Sequence, residues 1–255
     1  MGVPCFDLAG RTALVTGCRR GLGLAMAEAL AAAGADIIGV SRQMEADGGM
    51  AGSRVRALGR RFTPLACDLA EREACRQLVE QVRRDALPVD ILVNNAGVNF
   101  RAPALEFPDA AWDRVLATNL DAPFFLAREF GRDMVARGRG KIIFVASVIS
   151  FTRSVGIAAY AAAKGAVAQV TRALANEWAA RGVNVNAIAP GYCDTDLTEA
   201  LRNDQARYAA IRDRIPAGRW GTPEDMQGAV VFLAAPASDY VHGTVLMVDG
   251  GWSGR

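Results

Sequence analysis

Tyr160 and Lys164 stand four residues apart in the segment Y-A-A-A-K. Residues i and i+4 share a helix face, so a phenol and an ammonium can converge there. A free tyrosine ionises near pH 10, which leaves it protonated at neutral pH. Lowering that value by about 2–3 units takes roughly 3–4 kcal/mol of differential interaction, which a neighbouring cation can supply. The bland alternative is a tyrosine and a lysine that merely share a helix face. Ser147 closes the run KIIFVAS thirteen residues before Tyr160. A hydroxyl at the C-terminal edge of a parallel strand can hydrogen-bond an oxygen that the tyrosine protonates. Asn119 lies in WDRVLATNLDAPFF, four residues before Pro123. The proline removes a backbone hydrogen bond and predicts a kink near Asn119, and a carbonyl freed there would suit a water relay from Lys164. The alternative for Asn119 is a polar residue at a proline kink.

A second constellation suits an anion. The run Thr12–Thr16 leads into Gly17-Cys18-Arg19-Arg20-Gly21-Leu22-Gly23 and then into an Ala-rich segment. Glycines at G-x-x-x-G-x-G, where a strand turns into a helix, permit positive φ and close backbone approach, and the helix N-terminus offers free N–H groups to a pyrophosphate. An ordinary glycine-rich turn is the alternative. Asp68, in ACDLA after a strand, is read either as an acceptor for an adenine amino group or as the N-cap of a helix over 71–86. Dinucleotide sites for NAD commonly place an acid near the end of the second strand. Here that place reads Gly39-Val40-Ser41-Arg42, with no acid before Glu45. Arg20 and Arg42 could clamp the 2′-phosphate of NADP, or they are solvated surface residues or stack on adenine with either cofactor.

These residues need elements to hold them. Apolar runs at Thr12–Thr16, Asp36–Val40, Phe62–Ala66, Ile91–Asn94, Lys141–Ala146, Val183–Ile188 and Thr244–Val248 alternate with helical patterns. Runs apolar throughout, such as KIIFVA, predict strands buried on both faces. The predicted architecture is α/β: a single doubly wound Rossmann domain over 1–255, with about seven parallel strands and helices on both faces. The stretch 45–54 reads as a mobile loop, and 192–213, after Pro190-Gly191, as a substrate lid.

Composition narrows the function. Hydrophobic residues make up 51% and charged residues 22% of 255, and 29 Lys plus Arg against 27 Asp plus Glu give a formal charge of +2. That supports one sizeable core and excludes disorder. It gives no electrostatic reason to expect nucleic acid or an anionic membrane as partner, and leaves a small molecule. Cys5, Cys18, Cys67, Cys75 and Cys193 are odd in number and lack C-x-x-C, which reads as reduced thiols in a cytoplasmic protein. The lone histidine, His242, argues against a metal site and against a Ser-His-Asp triad. The N-terminal pattern shows no secretory signal, and without an apolar run of about 18 residues no membrane-spanning helix is expected.

Taken together, Thr16-Gly17-x-x-x-Gly21-x-Gly23, Asn94-Asn95-Ala96-Gly97, Asn119, Ser147, Tyr160-x-x-x-Lys164 and Pro190-Gly191 occur in order along essentially the whole chain. In this the chain resembles the short-chain dehydrogenase/reductase family. The resemblance implies hydride transfer between NAD or NADP and a CH–OH group. It implies Tyr160 as acid/base, Lys164 lowering its pKa and binding the nicotinamide ribose, Ser147 orienting the carbonyl and Asn119 supporting the relay. It further implies that Asp68 meets adenine, Asn95 supports the site and Thr195 touches the carboxamide. Gly17, Gly21, Leu22, Gly23, Leu69, Ala96, Gly97, Pro190 and Gly191 complete the implied cofactor contacts, and a homotetramer is the implied assembly.

Longer segments narrow the resemblance: FDLAGRTALVTG, ALGRRF at 57–62, LANEWA at 174–179, NVNAIAPGY at 184–192, RIPAGRWG at 214–221, SDYVHG and DGGW. They resemble the sugar-acid members of the 2-deoxy-D-gluconate 3-dehydrogenase / 2-dehydro-3-deoxy-D-gluconate 5-dehydrogenase type. A 3-oxoacyl-carrier-protein reductase would share every catalytic motif and would need a basic docking face. Arg128, Arg132 and Arg172 keep that reading open, although Asn176 stands where such reductases often carry Arg. A non-catalytic nucleotide-binding scaffold would be expected to lack Tyr160 or Lys164.

Overall fold

Each of the seven apolar runs becomes a strand in the computed structural model, which describes residues 3–152 and 154–254. The strands are β1 (Thr12–Thr16), β2 (Asp36–Ser41), β3 (Phe62–Ala66), β4 (Ile91–Asn94), β5 (Gly140–Val145), β6 (Val183–Pro190) and β7 (Val245–Val248). Every pairing is parallel, in the order β3-β2-β1-β4-β5-β6-β7. The main helices are α1 (Gly21–Ala32), α2 (Gly49–Ala57), α3 (Arg72–Arg84), α4 (Asp109–Leu116), α5 (Ala122–Arg137), α6 (Ala158–Trp178), α7 (Glu199–Arg202), α8 (Gln205–Arg212) and α9 (Gln227–Ala234).

Strand alternation divides the core between the two sheet faces. Leu14, Ile142 and Phe144 pack with Val79, Phe125, Leu126 and Val167 of α3, α5 and α6. Ala13, Val15, Ile143 and Val145 pack with Met26, Leu30, Val230 and Leu233 of α1 and α9. Each large aliphatic or aromatic side chain buried this way contributes about 1.5–3 kcal/mol. β6 is buried along its whole length although it carries Asn184 and Asn186. Both amides are spent on backbone. Asn184 Nδ2 donates to the carbonyls of Asp239 and Val241, while Asn186 donates to Val241 and accepts from Thr244 N–H. His242 joins this cluster, its Nε2 3.3 Å from Asn184 Nδ2.

Two expectations change. The stretch 45–54 is not a loop throughout, because α2 begins at Gly49. Ala51 and Val55, four residues apart, are both buried, and that narrow apolar face is enough to seat a short helix against the sheet edge. The predicted kink near Asn119 takes the form of a π-helical turn, Ala117–Asp121, between α4 and α5, with Pro123 in the first turn of α5. Among the described residues no helix is long and apolar enough to cross a membrane.

Candidate active site

The strand order reverses between β1 and β4, and a crevice opens there beyond the C-terminal ends of the strands. Gly17 follows β1 with φ +68, and a Cβ on it would lie 2.9 Å from both Ala96 Cα and Asn95 Nδ2. At Gly23 a Cβ would run into the Gly17 carbonyl oxygen. The turn and the start of α1 are therefore closed to side chains. α1 begins after Arg20 with no side-chain cap, so its first-turn N–H groups are not taken by a capping side chain. This cradle fits the pyrophosphate of a dinucleotide. The segment after β4 braces it: Asn95 Nδ2 donates to the carbonyls of Thr16 and Gly17 at 2.9 and 3.2 Å. The Thr16 hydroxyl accepts from the N–H groups of Asn95 and Ala96, both at 3.0 Å. Leu22, in the first turn of α1, packs half-buried onto the core.

Beyond β5 the residues expected to handle the proton come together. Ser147 is buried, and its Oγ accepts from Ile149 N–H at 3.2 Å. α6 carries Tyr160 and Lys164 on one face, with Lys164 Nζ 5.7 Å from the Tyr160 ring centroid. Tyr160 is half-buried, with Ser147 near enough to act on its phenol. Burial holds the phenol above its ordinary value, against the opposing pull of Ser147. The lowering expected from Lys164 is not what the protein alone displays. Lys164 is only 4% exposed, and burial drops its own pKa to about 8. Its ammonium is spent on the Val145 carbonyl at 2.6 Å. Asn119 is also committed, donating to Val98 O and accepting from Val98 N–H, both at 2.8 Å. It pins the backbone just past Gly97, whose Cβ position would lie 3.4 Å from Asn119 Oδ1.

At the far rim, Asp68 accepts from Ala70 N–H at 3.0 Å and from Arg114 at 3.2 Å, with Arg42 at 4.0 Å. Burial opposes ionisation of Asp68, but these donors outweigh it and hold the carboxyl below its ordinary range. Asp68 does not cap α3, which starts after Glu71. Leu69 beside it is buried. Arg20 stands at the mouth of the glycine turn, paired with Asp196, and both side chains are largely exposed. Thr195 caps a short 3-10 turn through a reciprocal bond with Thr198, and its Cγ2 lies 3.6 Å from where a Gly21 Cβ would stand. Pro190 ends β6, and Gly191 passes so close to Asp249 that a Cβ would lie 2.7 Å from Asp249 Cα.

The sheet edge thus gathers the glycine turn, Asn95, Ala96, Gly97, Ser147, Tyr160, Lys164, Pro190, Gly191 and Thr195, while Asp68, Leu69 and Arg42 lie toward the β3 end. Sequence reasoning gave no role to Val98, the partner of Asn119, or to the Thr16 hydroxyl. It also missed Tyr192, whose ring meets Trp252 at 4.7 Å and Trp220 at 5.5 Å. Backbone partners leave no residue-type signal, whereas the aromatic count near both ends of 192–252 was visible. Among the described residues no group of three or more His, Cys, Asp or Glu could hold a metal ion.

A family model described as enoyl-(acyl carrier protein) reductase matches residues 17–253. The 2-dehydro-3-deoxy-D-gluconate 5-dehydrogenase of Pseudoalteromonas atlantica is 54% identical over 250 residues, covering 98% of each chain. A Beutenbergia cavernae protein crystallised with NADP at low occupancy is 49% identical, with a TM-score of 0.94 over 98% of this chain and 100% of that one. The gluconate 5-dehydrogenase of Burkholderia cenocepacia, in complex with NADP and tartrate, is 41% identical, with a TM-score of 0.94 over 99% and 98% of the two chains.

Proposed function

The chain belongs to the short-chain dehydrogenase/reductase family, and from that premise we propose that it oxidises and reduces a secondary alcohol/ketone pair on a sugar acid of the 2-dehydro-3-deoxy-D-gluconate or 2-deoxy-D-gluconate type. The observation that carries the chemistry is Tyr160 with Ser147 beside its phenol and Lys164 Nζ 5.7 Å from its ring, at the sheet edge beside the glycine cradle. The nicotinamide of the bound dinucleotide supplies or receives the hydride. Ser147 orients the carbonyl oxygen, and Tyr160, kept protonated by burial, donates its proton to that oxygen in reduction. In the oxidative direction Tyr160 must first lose that proton, and the Lys164 ammonium favours its doing so. Asn119 acts as a positioning residue through Val98. Gly17, Gly21, Leu22 and Gly23 hold the pyrophosphate, Asn95, Ala96 and Gly97 border it, and Asp68 and Leu69 meet the adenine.

NADP is the preferred cofactor. Arg42 at the end of β2, where an acid would favour NAD, supports this, as do the NADP-bound relatives. Residues 192–213 form the lid over the substrate, supported by the excursion of α7 and α8 between β6 and β7, neither of which has a fully buried residue. The protein is cytoplasmic, in keeping with five free cysteines. It is also a homotetramer. The carrier-protein alternative has less support, because Arg128 and Arg132 are held by the buried Glu129 at 2.9 and 3.0 Å and offer a weaker basic face.

Initial rates with NADP and NAD against a panel of aldonic and deoxy-ketoaldonic acids test the reading. Turnover of at least one such acid with higher kcat/KM for NADP is expected, and Arg42→Asp should reverse the cofactor preference. Turnover confined to acyl thioester ketones would overturn it.

A further inference from the structure

The turn that follows β5 carries a second hydroxyl, on Ser150, that takes no part in the chemistry described above. Val148–Ser150 forms a 3-10 turn with Ser147 as its N-cap. Val148 and Ile149 pack with Ile157, and Tyr160 packs against all three. Ser150 closes the turn, its N–H donating to the Ser147 carbonyl at 2.9 Å. Its hydroxyl leaves the turn altogether. Oγ donates to the Lys164 carbonyl of α6 at 2.7 Å, across 14 positions of sequence. One residue therefore binds the backbones of both Ser147 and Lys164.

Two features set this bond apart. Neighbouring hydroxyls are spent locally, Thr152 on Val148 O and Thr171 on Val167 O, each four residues back along the chain. Such bonds join nothing that the backbone does not already join. The Lys164 carbonyl, in contrast, lies inside α6, where the helix uses one of its two lone pairs and Ser150 takes the other. Lys164 is thus held at both ends by the segment that carries Ser147. The Val145 carbonyl, before Ser147, takes its ammonium at 2.6 Å, and Ser150, after Ser147, takes its carbonyl. The first hold falls on the group that has to act on the phenol. The second falls on backbone and does not depend on where the ammonium points.

We propose that Ser150 is a positioning residue for hydride transfer: through the Lys164 carbonyl its hydroxyl fixes the register of α6 on the Ser147 turn, and with it the approach of the Tyr160 phenol to Ser147 and to the Lys164 ammonium. This rests on the assignment of Tyr160 as the acid/base and deepens it. In oxidation Tyr160 has to give up its proton, and a hydroxyl donor and a cation held close both favour the phenolate. A register that slackens weakens both at once. The titratable groups that face the phenol are Lys164 from its own helix and Cys193 from the segment after β6. Burial pushes the Cys193 thiol up to about 11, so at neutral pH it is uncharged and Lys164 is the charge that register controls.

The test compares Ser150→Ala, Ser150→Thr and Ser150→Cys in the NADP-loaded protein, with Tyr160→Phe as reference. Phenolate absorbance is titrated from neutral to alkaline pH, the Tyr160 step being the one that Tyr160→Phe lacks. Rates of D-gluconate oxidation are measured over the same range. In Ser150→Ala the Tyr160 step is expected to move up by about 0.5–1 pH unit, part of what a hydrogen bond and a neighbouring charge supply together. The alkaline rise in rate should move with it. kcat should fall about 10-fold, short of the ~10²-fold that a misplacement of about 1 Å can cost. KM and NADP affinity should stay as in the unmutated protein. Ser150→Thr keeps the hydroxyl and should restore both step and rate, and Ser150→Cys, a weaker donor, should fall between. Ser150 is partly exposed, and the apolar residues of its turn pack without it, so the variants are expected to fold. Should the alanine variant not fold, the cysteine variant carries the same comparison. An unmoved Tyr160 step beside an inactive Tyr160→Phe would overturn the proposal alone. So would a threonine variant no better than alanine, or a rate lowered equally at every pH together with Tm, which is what a merely structural bond gives. Full turnover in Tyr160→Phe would overturn the assignment of Tyr160 and the proposal with it. A Tyr160 step that moves in a protein turning over no sugar acid would overturn the substrate reading and leave Ser150 in its role.

Discussion

Tyr160 and Lys164 are held by opposite demands. Burial keeps the phenol protonated and at the same time destabilises the ammonium beside it. Tyr160→Phe keeps the ring and removes the proton donor. Turnover is expected to fall at least about 10²-fold with NADP affinity unchanged, read by steady-state rates and calorimetry. On the proposed reading Lys164 is kept for its function at a cost to stability. Its conjugate acid drops from 10.5 to about 8 in the folded protein, so below pH 8 both folded and unfolded chains are protonated and the fold bears the full penalty, of order 3 kcal/mol. Between pH 8 and 10.5 the folded protein alone has released the proton, and the penalty fades. Lys164→Met is therefore expected to abolish activity while raising Tm, by an amount worth about 1–3 kcal/mol after the loss of the bond to Val145 O. Thermal melts at pH 7 and pH 10 check this, and the gain should shrink at the higher pH. A variant that melts lower at pH 7 would show that the Val145 bond outweighs the burial of charge.

At the scale of elements, the site depends on two backbone segments that brace each other, the turn after β1 and the Asn94–Gly97 segment after β4. Gly23→Ala would set a methyl against the Gly17 carbonyl and Asn95 Nδ2. Relieving it moves the turn rather than α1, whose packing on the core holds it in place. NADP affinity is expected to drop at least about 10-fold while circular dichroism keeps its helical signal, and unchanged affinity would remove this turn from the binding site. Such features divide what was legible in the sequence from what was not. Strands such as KIIFVA declare themselves because burial on two faces demands apolar residues at every position. The glycine spacing declares itself because no other residue fits. The helix over 49–57 escaped notice because only Ala51 and Val55 mark its buried face, amid Gly and Arg that read as loop. At Asn119 both ends of the amide serve the backbone of Val98, a partner whose residue type leaves no trace in the sequence. The pairing of Arg20 with Asp196 joins residues 176 positions apart, a distance over which local pattern says nothing.

The whole molecule leaves aromatic surface that its own core does not cover. Phe100, Phe107 and Trp112 form an edge-to-face ladder at 5.5 and 6.4 Å, and Phe100 and Trp112 remain 42% and 38% exposed. Phe124 of α5 and Phe151, before α6, are 39% and 43% exposed. Apolar rings left in water at this density mark surfaces that associate, and each is worth about 25 cal/mol per Å² once covered. The elements concerned are the ones that position chemistry: α4 leads into the π-helical turn of Asn119, α5 leaves it, and α6 carries Tyr160 and Lys164. If these rings are covered in an assembly, the helices behind the site are held from outside as well, and loss of the assembly is expected to lower activity. Light scattering at micromolar concentration is expected to give a mass near four chains of 27.0 kDa. Phe124→Glu with Trp112→Glu should lower that mass and, with it, kcat, although neither ring lies among the residues assigned to cofactor or substrate. A mass near one chain in the unmutated protein would refute the assembly. A smaller oligomer of full activity would show instead that α4, α5 and α6 are held in place by the core of the single chain.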